Sequence, residues 1–259
     1  MKFIFSIFIL LFALTSPVFA QSIKPDKPKL NEQGELMETY SPFTFSNNAR
    51  LYWLLHVYSV DNDDMIDNYL KATECDLYSR FFLNEFEWRK VREATRTYLD
   101  KFKHTFPRRF EYIQPLSLDR YNFDLKGFPL EEGSVFYQST RLEMSSYMEN
   151  GDKCGNQSIT KLKGYPPMAM LSIKQPFKLS FIRANEEMAK EYLKFLESKQ
   201  IDQTRGRPAY IRFRVRIDSY LGEEFASQQI YGNFSGAIES IEVFADREML
   251  FKLYEQPMY

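Results

Sequence analysis

The spacing of hydrophobic and polar positions changes near Pro107. Upstream, apolar residues recur at helical spacing; downstream, they alternate. In Asn47–Tyr58 (NNARLYWLLHVY), Leu51, Leu54 and Leu55 share one helical face, with Trp53 and Tyr58 beside them. This predicts a short buried helix capped by Ser46 or Asn47. Met65, Ile66, Tyr69 and Leu70 repeat the spacing behind Asp61-Asn62-Asp63-Asp64. Acidic residues there suit the positive end of a helix. Thr73 is the expected N-cap of one long helix to Phe102, with Asp76 reaching back. Leu77, Phe81, Trp88, Val91, Tyr98 and Phe102 form its stripe, and Tyr78, Phe82 and Phe86 widen it. A stripe that broad belongs to a helix packed over much of its circumference.

Downstream, 109–114, 117–125 and 134–142 carry β-branched and aromatic residues in partial alternation. Residues 168–173 and 177–182 read as strands around Pro176. Asn185 caps an inserted helix whose apolar side is Met188, Tyr192, Phe195 and Leu196. Residues 210–217 give the cleanest alternation: Ile211, Phe213, Val215 and Ile217 point one way, Arg212, Arg214 and Arg216 the other. Residues 222–232 read as a connection, 237–244 as a last strand and 247–254 as a short terminal helix. The order predicts an α+β fold: an N-terminal helical layer (46–106) on a mostly antiparallel β-rich part (107–259), with 46–259 as one globular unit.

The N-terminus changes the picture of where this fold works. Lys2 precedes an apolar run, Phe3–Leu14, broken only by Ser6; Val18-Phe19-Ala20 then precedes Gln21. This is the pattern of a secretory signal peptide (1–20) cleaved between Ala20 and Gln21. A polar, proline-bearing stretch, 21–45, reads as a flexible leader. Cleavage leaves 239 residues (259 less 20) and takes the formal charge from −1 to −2 by removing Lys2. A near-neutral chain has no global pull toward nucleic acid, and no later stretch is apolar enough to span a bilayer. The chain has two cysteines, Cys75 and Cys154. In an oxidising compartment they pair most simply as one disulfide. The rival reading is a reactive thiol at Cys75, activated by the helix start.

Candidate chemistry is sparse. Arg212, Arg214 and Arg216 place three guanidinium groups on one strand face, a pattern that binds carboxylate, phosphate or acidic glycan. The competing reading pairs them with the acidic segment bearing Glu223, Glu224, Glu239, Glu242, Asp246, Glu248 and Glu255. Asp61–Asp64 lacks the Gly and Glu that an EF-hand loop needs at its sixth and twelfth positions, which are Ile66 and Ala72. Two histidines, His56 and His104, cannot build a multi-histidine metal centre; His56 reads as a core residue. Gly232-Asn-Phe-Ser-Gly236 places its serine one residue late for a nucleophile elbow. No catalytic, cofactor-binding or metal motif is present, although paired carboxylates of a hydrolase need no fixed spacing.

The run DNDDMIDNYLKATECDLYSRFFLNEFEWRKVREATRTYL, followed by FPRRFEYIQPLSLDRYNFDLKGFPL, resembles an uncharacterised family of exported proteobacterial proteins labelled only as a domain of unknown function. The resemblance implies a bacterial envelope location and carries over no catalytic residue. The expectation is a periplasmic or secreted, non-enzymatic protein that binds an envelope protein, polymer or ligand without a cofactor. The alternatives are an envelope-polymer hydrolase using paired carboxylates and a secreted, host-directed effector.

Overall fold

The computed structural model describes residues 39–149, 151–203 and 206–258. The expected signal peptide, with its Ala20–Gln21 cleavage point, and residues 21–38 of the expected leader lie outside the described residues.

In chain order the elements are β1 (Ser41–Pro42), α1 (Phe45–Leu54), α2 (Asp63–Thr73), α3 (Cys75–Phe81), α4 (Glu85–Phe102), β2 (Arg109–Leu118), β3 (Gly127–Pro129) and β4 (Phe136–Ser145). There follow β5 (Lys153–Cys154), β6 (Gln157–Ser158), β7 (Met168–Leu179), β8 (Phe181–Arg183), α5 (Glu186–Ser198), β9 (Arg207–Ala226), β10 (Gln229–Phe244) and β11 (Lys252–Pro257). The chain is α+β with a mixed, mostly antiparallel sheet ordered β1-β2-β9-β10-β7-β4, with β11 also paired to β10. Only β1/β2 and β7/β10 run parallel in it.

The sheet curls until its outer strands meet. A parallel bridge joins Thr44, just past β1, to Tyr147, just past β4. The Phe45 N–H donates to the Tyr147 carbonyl at 2.8 Å, and the Tyr147 N–H to the Phe43 carbonyl at 3.0 Å. Three register shifts in the β9/β10 pair supply much of the bend, because each bulge adds a residue to one strand and increases local twist. Inside the curl, Phe213 of β9 reaches Phe136 of β4 and Phe177 of β7, each at 5.7 Å between ring centroids. Ile211, Val215 and Ile217 share this buried face. From α1, Tyr52 packs on Tyr220 and Phe234. From α5, Tyr192 packs on Phe128 and donates to the Pro208 carbonyl.

Several local expectations change. The long helix is two helices, α3 and α4. Thr73 closes α2, its hydroxyl donating to the Tyr69 carbonyl, and α3 has no side-chain cap. Asn84 breaks the run and caps α4, accepting from the Glu87 N–H at 3.3 Å. Asn62 caps α2 in the same way. Asp63 and Asp67 are engaged by Arg92, Arg96 and the Trp88 indole, so the acidic run is a cap and a bridge to α4. His56 is exposed beyond the end of α1, in the left-handed region at φ 57°, and is not a core residue. The last residues of the expected leader form β1 and begin α1, with Phe43 and Phe45 buried.

The stretch expected to be a connection, 222–232, is the tip of the β9/β10 hairpin. Ser227 and Gln228 turn it, both in the left-handed region at φ 50° and 64°, where Asn-Gly is the usual signal. The expected terminal helix is a turn followed by β11: the Asp246 carboxylate accepts from the Leu250 and Phe251 N–H groups. Residues 117–125 are not one strand, since β2 runs through Pro115 to Leu118 and the chain then turns.

Cys75 and Cys154 are disulfide-bonded, with their Cα atoms 5.4 Å apart. The bond ties the 153–158 hairpin to the start of α3. Replacing both cysteines by serine is expected to lower stability by about 2–5 kcal/mol, read from urea midpoints. The unreduced native protein should give no thiol labelling; labelling of both cysteines without reductant would contradict the bond.

Candidate functional site

β10 is paired with β9 along one whole edge and shares its other edge between two strands. Residues 231–236 pair with β7, and 240–244 with β11. Where β7 and β11 part, at 237–239, a cleft of ≈ 810 Å³ opens on the outer face of the sheet. It collects side chains from distant segments: Tyr40 from before β1, Arg109 from β2, Arg214, Arg216 and Asp218 from β9, Lys174 from β7 and Glu255 from β11. A Cβ at Gly236 would overlap the Arg216 carbonyl, so the floor requires glycine there.

The charges form a nearly complete network. Arg109 and Arg216 sit opposite one another across β2/β9, an arrangement of like charges that is unfavourable unless bridged. Glu239 bridges them: Arg109 Nε donates at 2.9 Å and Arg216 Nη1 at 3.1 Å. The Tyr40 hydroxyl donates to the same carboxylate at 2.7 Å. Burial alone would raise the Glu239 carboxyl, but the Arg109 and Tyr40 hydrogen bonds and the two arginine charges hold it below the usual carboxylate range. Asp218 is also held low, chiefly by its hydrogen bond from Arg216 at 2.8 Å.

Deeper along the strand, Glu242 is 1 % exposed. Arg212 Nε donates to it at 2.8 Å, and Lys252 Nζ lies 2.9 Å away. Burial pushes this carboxyl up, yet Lys252 and Arg212 outweigh it and the net direction is down. The Arg212 guanidinium also lies over the Phe244 ring.

Of the three stripe arginines, then, Arg216 lines the cleft fully paired, Arg212 lies outside it on Glu242, and Arg214 differs from both. The register places Ser240 opposite Arg214, because Glu239 falls in the bulge between Ile238 and Ser240. Arg214 has only a 3.6 Å approach to Glu242 and the face of Tyr40, 5.2 Å from its guanidinium carbon. Its Nε and the Ser240 hydroxyl are both buried without a hydrogen-bond partner. Unpaired buried groups of this kind cost free energy. Lys174, exposed at the rim, adds its charge beside Asp218 without forming an ion pair among the described residues.

Nothing in the local sequence marks Tyr40, Arg109, Lys174 or Ser240, since strand pairing across up to 200 positions brings them together. The Gly232–Gly236 motif lies in β10, where the Ser235 hydroxyl pairs with that of Ser219 at 2.6 Å. A second cleft, of ≈ 780 Å³, lies between the hairpin tip, with Phe225 and Ile230, and the 160–168 loop. No helix among the described residues is long and apolar enough to cross a membrane.

Fold and cleft together define an α+β protein whose curled sheet carries an ion-paired groove with one unsatisfied arginine. The chain belongs to the family described as Domain of unknown function (DUF4852), which matches residues 61–195, just over half of its length. The matched region runs from before α2 into α5 and includes Arg109 and Lys174 of the cleft. No curated protein and no solved structure matches the chain.

The ion network sets an acid limit. Because the folded carboxyls of Glu239 and Glu242 lie below their unfolded values, their stabilisation is complete above the unfolded pKa, about 4.3, and is lost as pH falls through the folded values. The thermal midpoint should therefore hold near neutrality and drop below about pH 4.3. Glu242→Gln removes the shared acceptor of Arg212 and Lys252, which keep Glu111 and Glu255, and should cost about 1.5–3 kcal/mol at pH 7, measured by denaturant unfolding.

Proposed function

We propose that this chain is an exported, non-enzymatic protein of a bacterial envelope that binds an anionic ligand in the cleft between β7 and β11. The observation that carries the binding reading is the unequal pairing of charges there. Asp218 and Glu239 are each engaged by arginine, and Glu255 by Lys252. Arg214 reaches only Glu242, at 3.6 Å and shared with Arg212 and Lys252, and Lys174 forms no ion pair among the described residues. An anion entering the cleft meets an arginine already desolvated on one face by Tyr40, where a charge-assisted hydrogen bond is stronger than in water.

Export is supported by the residues 2–20 pattern and by a disulfide that suits an oxidising compartment. The hydrolase alternative needs one carboxyl kept protonated as general acid. Asp218 and Glu239 are instead both held ionised, which favours binding over catalysis.

Two measurements test this. Expressed in a bacterium, the protein should appear outside the cytoplasm with Gln21 as its first residue by intact mass; a cytoplasmic product still carrying residues 1–20 would contradict export. At matched ionic strength, acetate or phosphate should raise the thermal midpoint relative to chloride by more in the parent than in Arg214→Ala, which keeps only the general salting-out rise. The substitution itself should cost less than about 1 kcal/mol, because Glu242 keeps Arg212 and Lys252. An equal rise in the variant, or none in either protein, would sink the reading.

A further inference from the structure

We infer that the tip of the β9/β10 hairpin, together with the adjoining 160–168 loop, docks on a lipid bilayer whose headgroups are anionic. This surface is separate from the Arg214 cleft and does not depend on the anion-binding reading above.

The composition of the tip is the first observation. Seven consecutive residues, 225–231 (FASQQIY), carry no charge. Phe225 and Ile230 are partners across the hairpin, and they are 74 % and 50 % exposed. Leu221, at the register shift behind them, is exposed as well. Exposed strand ends are usually blunted with charged side chains. An exposed apolar cluster without them marks a contact surface, and an uncharged tip can leave water without stranding an ion.

The placement of the nearby charges is the second. Residues 152–168 carry Lys153, Lys161 and Lys163 against Asp152 alone. Lys161 and Lys163 line the same cleft as Phe225 and Ile230, are exposed, and form no ion pair among the described residues. Their loop is fixed from behind: the Gly164 carbonyl accepts from the Tyr58 hydroxyl, and the Lys163 carbonyl from the Asn68 side chain at 3.2 Å. The carboxylates of the hairpin stand further from the tip. Glu223 lies opposite Gly232, two positions behind the Phe225–Ile230 pair, and Glu224 is engaged by Arg141 at 2.6 Å and Asn233 at 3.0 Å. Apolar side chains at the tip with lysines beside them match the layering of a bilayer interface. There, apolar groups enter the acyl boundary while ammonium groups stay with anionic headgroups.

Shape selects the bilayer over other occupants. The cleft of ≈ 780 Å³ between tip and loop has Met148, Leu162 and Met168 half-buried along it. Its Phe225 and Ile230 wall is open to water, whereas a small-molecule site encloses most of its ligand. An added peptide strand needs a free edge, and only Gln229 and Ile230 of β10 extend past its pairing with β7. A bilayer needs neither enclosure nor a strand edge, since it binds through apolar area and headgroup charge.

The test is vesicle flotation of the protein without residues 1–20, whose apolar run would itself enter lipid. Vesicles are phosphatidylcholine alone or mixed with phosphatidylglycerol. The parent should float with the mixed vesicles roughly tenfold more than with neutral ones, and less at high salt. The pair Phe225→Ser and Ile230→Ser should lose that flotation. The pair Lys161→Gln and Lys163→Gln should reduce it to the neutral level. Arg214→Ala should leave it unchanged, so failure here and failure of the Arg214 reading are separate results. A Phe225→Trp reporter should be quenched by acyl-brominated lipid, unlike the buried Trp53 and Trp88. A parent that floats with neither vesicle, undiminished flotation of the serine pair, or an unquenched reporter overturns the docking surface. Equal flotation with neutral vesicles overturns the anionic headgroup. If no vesicle binds and the serine pair instead dissociates a dimer seen by sedimentation, the tip is an interface between copies and the bilayer assignment falls.

Discussion

Strand β10 has a single free edge and two strands that use it. β7 takes the N-terminal half and β11 the C-terminal half, and the rest of the architecture follows from that division. β7 pairs with β4 on its other edge and leaves β10 after Gly236, and this departure opens the cleft. β11 enters beside Phe244, after a turn fixed by Asp246, and its pairing reaches only as far as Ser240. The interval carries the bulge that turns Glu239 toward Arg109 and Arg216. Of the three register shifts in the pair, the one at Glu239 sets Ser240 rather than an acidic residue opposite Arg214, which leaves that arginine only its 3.6 Å approach to Glu242.

The ion pairs are better understood as positioning devices than as sources of stability. Glu242 is almost wholly removed from water, and desolvation of such a carboxylate consumes most of what its partners return. What the network fixes is geometry. Arg212 is drawn against Phe244 and Glu242, Arg216 is clamped between Asp218 and Glu239, and Arg214 is left between them beneath Tyr40. The helical region uses the same device. Asp67, 9 % exposed, receives the Trp88 indole and the Arg92 guanidinium and so locks α2 to α4. The disulfide adds a covalent tie between that region and the loop after β4.

Features read directly from residues were those set by local periodicity or by strong local chemistry. The Ile211–Ile217 alternation, the Asn185 cap and the cysteine pairing belong to this group, and each has its counterpart in the structure. Features misread locally have identifiable causes. A broad aromatic stripe masked the Asn84 break, although Asn84 with Glu87 three residues later is a legible capping signal. Ser227-Gln228 lacks the glycine that announces a tight hairpin, so nine residues of paired strand, 222–226 and 229–232, resembled a connection. The terminal strand resembled a helix because pairing with β10, rather than its own pattern, decides its conformation.

By itself the sequence determined the composition of the candidate site's central strand: three arginines on one face, four aliphatic or aromatic residues on the other, and acidic residues downstream to meet them. Period-two alternation is a property of the backbone and needs no partner to be read. Which arginine would be paired was decided only by the tertiary structure. That depends on strand register, on a single bulge at Glu239, and on the contributions of Tyr40, Arg109 and Lys174 from strands distant in sequence. A shift of one residue in pairing reverses which side chains face one another, and no local pattern in this chain encodes that shift.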